Sequence, residues 1–103
     1  MSFSETSTNA RLDDNGVLYA ECQNDEGEVN TSTLNLNDYI GVINGEFTFA
    51  KGGYVSYTAG RVVEGSILKA DVTDENTGAA SSQELDLDLC VANIDGVLQF
   101  ENP

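Results

Sequence analysis

The sequence predicts an all-β fold made of two tandem repeats of about 50 residues. Three observations carry that expectation. Shifted by about 51 residues, the chain matches itself over nearly its whole length. Leu34-Asn35-Leu36-Asn37 then falls on Leu85-Asp86-Leu87-Asp88, Ile40-Gly41-Val42-Ile43-Asn44-Gly45 on Val91-Ala92-Asn93-Ile94-Asp95-Gly96, and Phe3 on Tyr54. Within each copy, apolar residues alternate with polar ones at the period of a half-buried strand. Between the alternating runs stand short clusters of Asn, Asp and Gly, the residues that tight turns require.

In the first copy, Val17 to Gln23 reads as a strand with Leu18, Ala20 and Cys22 on one face and Tyr19 and Glu21 on the other. Asn24-Asp25-Glu26-Gly27 is a turn, and Val29 to Leu36 is the return strand. A one-residue gap brings Leu18-Tyr19-Ala20-Glu21-Cys22 onto Leu68-Lys69-Ala70-Asp71-Val72. The second copy therefore reads as a strand Ile67 to Thr73, a turn Asp74 to Gly78, and a return strand near Ser82 to Leu87. Asn37-Asp38-Tyr39-Ile40 and Asp88-Leu89-Cys90-Val91 start with capping residues and are short, which predicts single helical turns. Asn44-Gly45 and Asp95-Gly96 predict tight hairpin turns ahead of strands at Phe47–Phe49 and Leu98–Phe100. A unit of about 50 residues can barely bury a core alone. The two copies are therefore expected to interlock as pseudo-symmetric lobes within one domain spanning residues 1–103.

Composition narrows the function. Eighteen acidic residues against four basic ones give a net charge of −14. Arg11, Lys51, Arg61 and Lys69 cannot assemble a phosphate-gripping surface, so nucleic acid and anionic membranes are excluded as partners. No apolar run approaches the roughly 20 residues of a membrane span. The opening MSFSETSTNARL has neither a basic nor an apolar leader region, and two cysteines make no disulfide framework, which predicts a cytoplasmic protein. Cys22 falls on Val72 and Cys90 on Tyr39, so both cysteines read as packing thiols. The acidic run Asp71 to Gly78 fits a calcium loop in no register, and neither metal nor cofactor is expected. With no His to activate Ser, Thr or Cys, and no carboxylate set in an apolar stretch, the chain is not expected to be an enzyme. Asn30-Thr31-Ser32 matches a glycosylation acceptor but reads as a polar strand edge.

Phe3-Ser4-Glu5-Thr6, Val17-Leu18, Cys22, Asn30-Thr31-Ser32, Leu36-Asn37 and above all Ala92-Asn93-Ile94-Asp95-Gly96 resemble the cyanovirin-N homologue lectins over essentially the whole chain. Unpaired cysteines and the lack of a leader are similar to the fungal single-domain members. The resemblance implies one lobe (A) from about 1–38 plus 90–103, another (B) from about 39–89, and a shallow site in each for α1→2-linked mannose on high-mannose glycans. The implied ligands are mannose-containing oligosaccharides or glycoproteins. In lobe A it places Ser2, Glu5, Thr6, Gln23, Asp25, Asn93, Ile94, Asp95 and Glu101 around the sugar. In lobe B the counterparts include Val42, Ile43, Asn44, Gly53, Ser56, Tyr57 and Asp74. Val42 there replaces an amide, Ser56 an acid, and Tyr57 adds bulk, so lobe B is expected to bind weakly or not at all. The family's two disulfides would need cysteines at Ser7, Thr58 and Val72, so both are absent. The hinge reads Lys51-Gly52-Gly53 without a proline, which favours a monomer over a domain-swapped dimer. The alternative to a lectin is a degenerate member serving as a structural or protein-interaction module.

Overall fold

The computed structural model describes residues 3–49 and 52–101. Ser2, and Lys51 of the hinge, lie outside the described residues. The first repeat supplies a three-stranded antiparallel sheet, β1 (Ser7–Leu12), β2 (Val17–Gln23) and β3 (Val29–Asn35), then a hairpin of β4 (Ile40–Ile43) and β5 (Glu46–Phe49). The second supplies the same set: β6 (Thr58–Glu64), β7 (Ile67–Thr73), β8 (Ala80–Asp86), then β9 (Val91–Ile94) and β10 (Val97–Phe100). Short 3₁₀ turns at Phe3–Glu5, Leu36–Asp38, Tyr54–Tyr57 and Leu87–Leu89 join them. Among the described residues no helix is long and apolar enough to cross a membrane.

The alternation in β2 and β7 does what its period requires. Leu18, Ala20, Cys22, Leu68, Ala70 and Val72 all point inward and are buried. Asn44 (φ 55°) and Asp95 (φ 51°) take the left-handed conformation that a tight hairpin demands, each followed by glycine. The helical turns are present but begin earlier than Asn37 and Asp88. Their caps are Asn35 and Asp86, whose side chains accept hydrogen bonds from the amides of Asn37 and Asp88. The reason is that Leu36 and Leu87 are fully buried, which draws them into the turn. Two strands go beyond the sequence reading. β1 is largely polar and β6 is mixed, and each breaks register at a bulge, between Thr8 and Arg11 and between Ala59 and Val62. The bulge destroys the alternation that would have revealed them.

The repeats exchange their hairpins. β9–β10 of the second repeat covers the first sheet, where the Leu98 amide donates to Ser32 Oγ at 3.0 Å. The turn of β4–β5 meets the second sheet, where the Asn44 amide donates to Glu75 Oε1 at 2.6 Å. Between the lobes, Asn37 Oδ1 accepts from the Val55 amide at 3.0 Å, and Asp88 Oδ1 accepts from the Ser4 amide at 3.1 Å. One continuous core results, with Phe3, Leu18, Leu36 and Ile40 packed together with Tyr54, Leu68, Leu87 and Val91 in a body of 49 × 22 × 18 Å.

Cys22 lies across from Ser7, and Val72 across from Thr58, at equivalent registers of the two sheets. Ser7 Oγ donates to Cys22 Sγ at 3.4 Å, a weak contact where the family resemblance would put a covalent bridge. Cys22 and Cys90 are free and buried. Burial, and then the Asp86 carboxylate, push the Cys90 thiol up to about 12.

Tyr54 anchors one lobe to the other. Its hydroxyl donates to the Gly16 carbonyl at 2.9 Å. Gly16 has φ 80°, and a Cβ there would clash with Val55 Cγ2 and lie 2.8 Å from the Tyr54 hydroxyl. We predict that Gly16→Ala costs about 2–4 kcal/mol, from left-handed strain plus overpacking. Gly65→Ala, with φ 63° and nothing within 4 Å, should pay only the strain. Urea unfolding of both variants checks this, and equal losses would contradict it. Burial also pushes the Tyr54 phenol from 10.0 up to about 12, against the opposing charge of Arg61. The folded state therefore holds that proton more tightly than the unfolded chain does. Its contribution is complete below pH 10 and is lost as pH rises towards about 12. Thermal melts across that range should show the decline, and Tyr54→Phe should flatten it.

Candidate functional site

The crossing of the chain ends creates a cleft. The Asp95-Gly96 turn between β9 and β10 is set against the end of β2 and the segment leading into β1. The cleft has a volume of about 340 Å³ and is lined by Thr6, Gln23, Asn24, Asp25, Asn93, Ile94 and Asp95. Six of these are residues singled out from the sequence. Glu5 and Glu101 are exposed and are not among the lining residues, and Ser2 lies outside the described residues. Glu101 follows β10, where its amide donates to the Cys90 carbonyl at 2.7 Å. Asn24 was missed as a site residue. Its signal was its place in the turn cluster, between two residues that were chosen.

Asn93 organises the cleft. Among the described residues it is the one buried polar side chain. Its Nδ2 donates to Thr6 Oγ1 and to the Gln23 carbonyl, both at 2.9 Å, and reaches the Thr6 carbonyl at 3.4 Å. Its Oδ1 accepts from the Gly96 amide at 2.8 Å. The amide is thereby committed to holding three chain segments together, as a buried polar group must be. Asp95 Oδ1 adds a second tie, accepting from the Asp25 amide at 2.9 Å. Asn24 Oδ1 closes its own loop by accepting from the amides of Glu26 and Glu28, each at 2.9 Å. Gly96 allows the hairpin to approach, since a Cβ there would come within 3.1 Å of Asn24 Cβ. The rim carries the exposed side chains of Gln23, Asp25, Ile94 and Asp95, with no cation among the lining residues. Paired oxygen acceptors beside an apolar residue suit a neutral polyhydroxyl ligand.

The pseudo-symmetric place in the other lobe is built differently. Val42 occupies the position of Asn93 and is buried. A valine cannot form the amide staple, and Tyr57 stands exposed where Thr6 received it. The clasp between hairpin and loop survives with different partners and with donors on both sides. Here the loop carboxylate of Glu75 accepts from the turn amide of Asn44, while Asn76 Nδ2 donates to Asn44 Oδ1 at 2.9 Å. Ile43 and Ser56 are exposed, and Asp74 packs against the Gly45 turn, 3.3 Å from where a Cβ would stand. The Gly53 amide donates to the Asn37 carbonyl at 2.7 Å.

Residues 3–99 match the CVNH domain. The fold is similar to that of the CVNH of T. borchii, with a TM-score of 0.87 and 30% identity over 98% of this chain and 100% of that one. The CVNH of Gibberella zeae gives 0.83 and 31%, over 95% of each chain. Microvirin, solved as a complex with mannobiose, gives 0.81 and 28%, over 97% of this chain and 98% of that one.

Asn93→Val, which copies the other lobe, should cost about 1–3 kcal/mol by leaving buried partners unpaired. Hydrogen exchange at the Gly96 amide should accelerate in step. Unchanged urea stability together with unchanged exchange would show that the staple holds nothing.

Proposed function

The chain belongs to the CVNH family, and from that premise we propose that it is a lectin for terminal α1→2-linked mannose, binding chiefly through the cleft of lobe A, the lobe of residues 1–38 and 90–103. The observation that carries this reading is the convergence of Thr6, Gln23, Asp25, Asn93, Ile94 and Asp95 on one cleft. The resemblance of microvirin, whose complex contains mannobiose, supports a mannose-containing carbohydrate as the ligand class. Binding requires no bond to break. The carboxylates of Asp25 and Asp95 accept from sugar hydroxyls, the Gln23 amide both accepts and donates, and Ile94 gives a ring face something to rest on. Asn93 keeps the geometry rather than touching the sugar with its amide.

Lobe B, of residues 39–89, contributes little in this reading. Glu75 already occupies the Asn44 amide, and Val42 and Tyr57 offer no paired acceptors. Two or three missing hydrogen bonds of about 0.5–1.5 kcal/mol each weaken a site by tenfold or more. A monomer with a single shallow site also forgoes the avidity of bridging two glycan arms, a factor of about 10² to 10⁴.

Titration with α1→2 mannobiose, followed by backbone amide NMR shifts, tests the assignment. Saturable shifts are expected at Thr6, Asn24 and Asp95, with little movement at Val42 and Ser56. Equal perturbation of both clusters, or of the second alone, rejects the lobe assignment. The absence of any shift would favour a degenerate member that serves as an interaction module.

A further inference from the structure

A second cavity, of about 450 Å³, lies among Phe3, Ser4, Ser7, Ala10 and Gly65, which share no residue with the sugar cleft. The internal repeat shows what such a space can hold. In the pseudo-symmetric position of the other lobe stands the guanidinium of Arg61. Its Nη1 donates to the Thr58 carbonyl at 2.8 Å, to Thr58 Oγ1 at 3.1 Å and to the Val55 carbonyl at 3.4 Å, and its Nη2 donates to the Asp14 carbonyl at 3.1 Å. The same offset that relates the repeats sets Ser7 at Thr58, Ser4 at Val55, Gly65 at Asp14, and Ala10 at Arg61. Even the bulge that aims this position is kept, with φ 57° at Asn9 and 63° at Gly60. The repeat therefore duplicates the residues that supply this acceptor wall, and it does not duplicate the arginine.

The hydroxyls have matching roles. Thr58 Oγ1 donates to the Tyr54 carbonyl at 2.9 Å and accepts from Arg61. Ser7 Oγ donates to Cys22 Sγ, which leaves its lone pairs to accept. Charge points the same way by an independent route. Beside Arg61, the residue holding the Val55 amide is the neutral Asn37. On the cavity side, the residue holding the amide and hydroxyl of the lining residue Ser4 is the anionic Asp88. One half has a built-in cation and a neutral neighbour. The other has an alanine and a carboxylate, and its nearby Arg11 is already engaged with the Asn9 carbonyl and the Glu21 carboxylate, each at 2.8 Å.

We propose that the Ser4–Ser7–Ala10–Gly65 cavity binds a guanidinium group supplied in trans, as an arginine side chain of a peptide or as free arginine. A planar fork of donors matches the acceptor arrangement that receives Arg61 in the other lobe, which a lysine ammonium does not reproduce. A net charge of −14 draws such a cation in.

The test is an amide NMR titration at fixed ionic strength with N-acetyl-arginine N-methylamide, with L-arginine, and with L-citrulline as the neutral isostere. Saturable shifts at Ser4, Ser7 and Gly65 are expected with the arginine compounds and not with citrulline. A stronger response to the capped form identifies a peptide side chain as the ligand, and a stronger response to the free amino acid identifies the small molecule. Ala10→Arg should abolish the shifts by filling the cavity with its own guanidinium. Asp88→Asn keeps an oxygen for the Ser4 amide, as Asn37 does for Val55, and should weaken binding by roughly tenfold. No saturable shift in the unmodified protein, equal shifts with citrulline, or undiminished binding in Asp88→Asn would overturn the proposal.

Discussion

Neither three-stranded sheet of this protein can close its own core, and the rest of the structure follows from that constraint. Leu18, Ala20 and Cys22 on β2, and Leu68, Ala70 and Val72 on β7, form apolar faces only three strands wide. A lone sheet of that size leaves its apolar face in water. Each face is covered instead by the hairpin of the other repeat. The exchange forces the chain ends to meet, and that meeting makes the cleft. It also sets the crossing contacts through Asn37 and Asp88, and fixes Tyr54 against Gly16. A cleft lined by residues 6, 23–25 and 93–95 exists because the core demanded partners distant in sequence.

The two halves share a frame and differ in what they hang on it. Backbone features repeat closely: the bulges in β1 and β6, the Asn35 and Asp86 caps, and the hairpin turns. Side-chain chemistry has diverged where the frame does not depend on it. Asn93 staples three segments while Val42 packs in a core. Glu75 reaches across to the hairpin in one lobe, and the hairpin's Asp95 reaches back in the other. Arg61 makes four acceptor contacts, and Ala10 at the equivalent place in the first repeat has no donor to make them. The Arg61 Nε stays buried without a partner among the described residues, a cost its other nitrogens offset. Duplication followed by divergence of this kind allows one fold to carry two unlike sites.

Stability rests on packing and hydrogen bonds rather than on cross-links or ion pairs. The buried thiols Cys22 and Cys90 are unbridged. Among the described residues the ion pairs are Arg11–Glu21 at 2.8 Å and Lys69–Glu64 at 3.4 Å, both at the surface and worth little individually. Acidic groups elsewhere serve as acceptors for backbone amides. Asp13 is an example: hydrogen bonds from the amides of Val17 and Asn15 and from the Tyr19 phenol outweigh its desolvation and hold its carboxyl below the usual range.

By itself the sequence determined the repeat, the β class, the hairpin turns, and the inward faces of β2 and β7. These depend on local spacing: period-2 alternation, a left-handed turn residue followed by glycine, and an offset that aligns one copy on the other. It also supplied most of the candidate cleft, through resemblance in Asn93-Ile94-Asp95 and Glu5-Thr6. Tertiary structure decided the rest. β1 and β6 were hidden because a bulge cancels the alternation that marks a strand. The helical caps fell at Asn35 and Asp86 because burial of Leu36 and Leu87 set the turn. Asn24 lines the cleft while the exposed Glu5 and Glu101 do not, which depends on how the exchanged hairpin docks. Only three-dimensional packing could show that Asn93 is a staple and that Ala10 opens a cavity where Arg61 fills one. Those roles are defined by partners far away in sequence, and linear spacing carries no record of them.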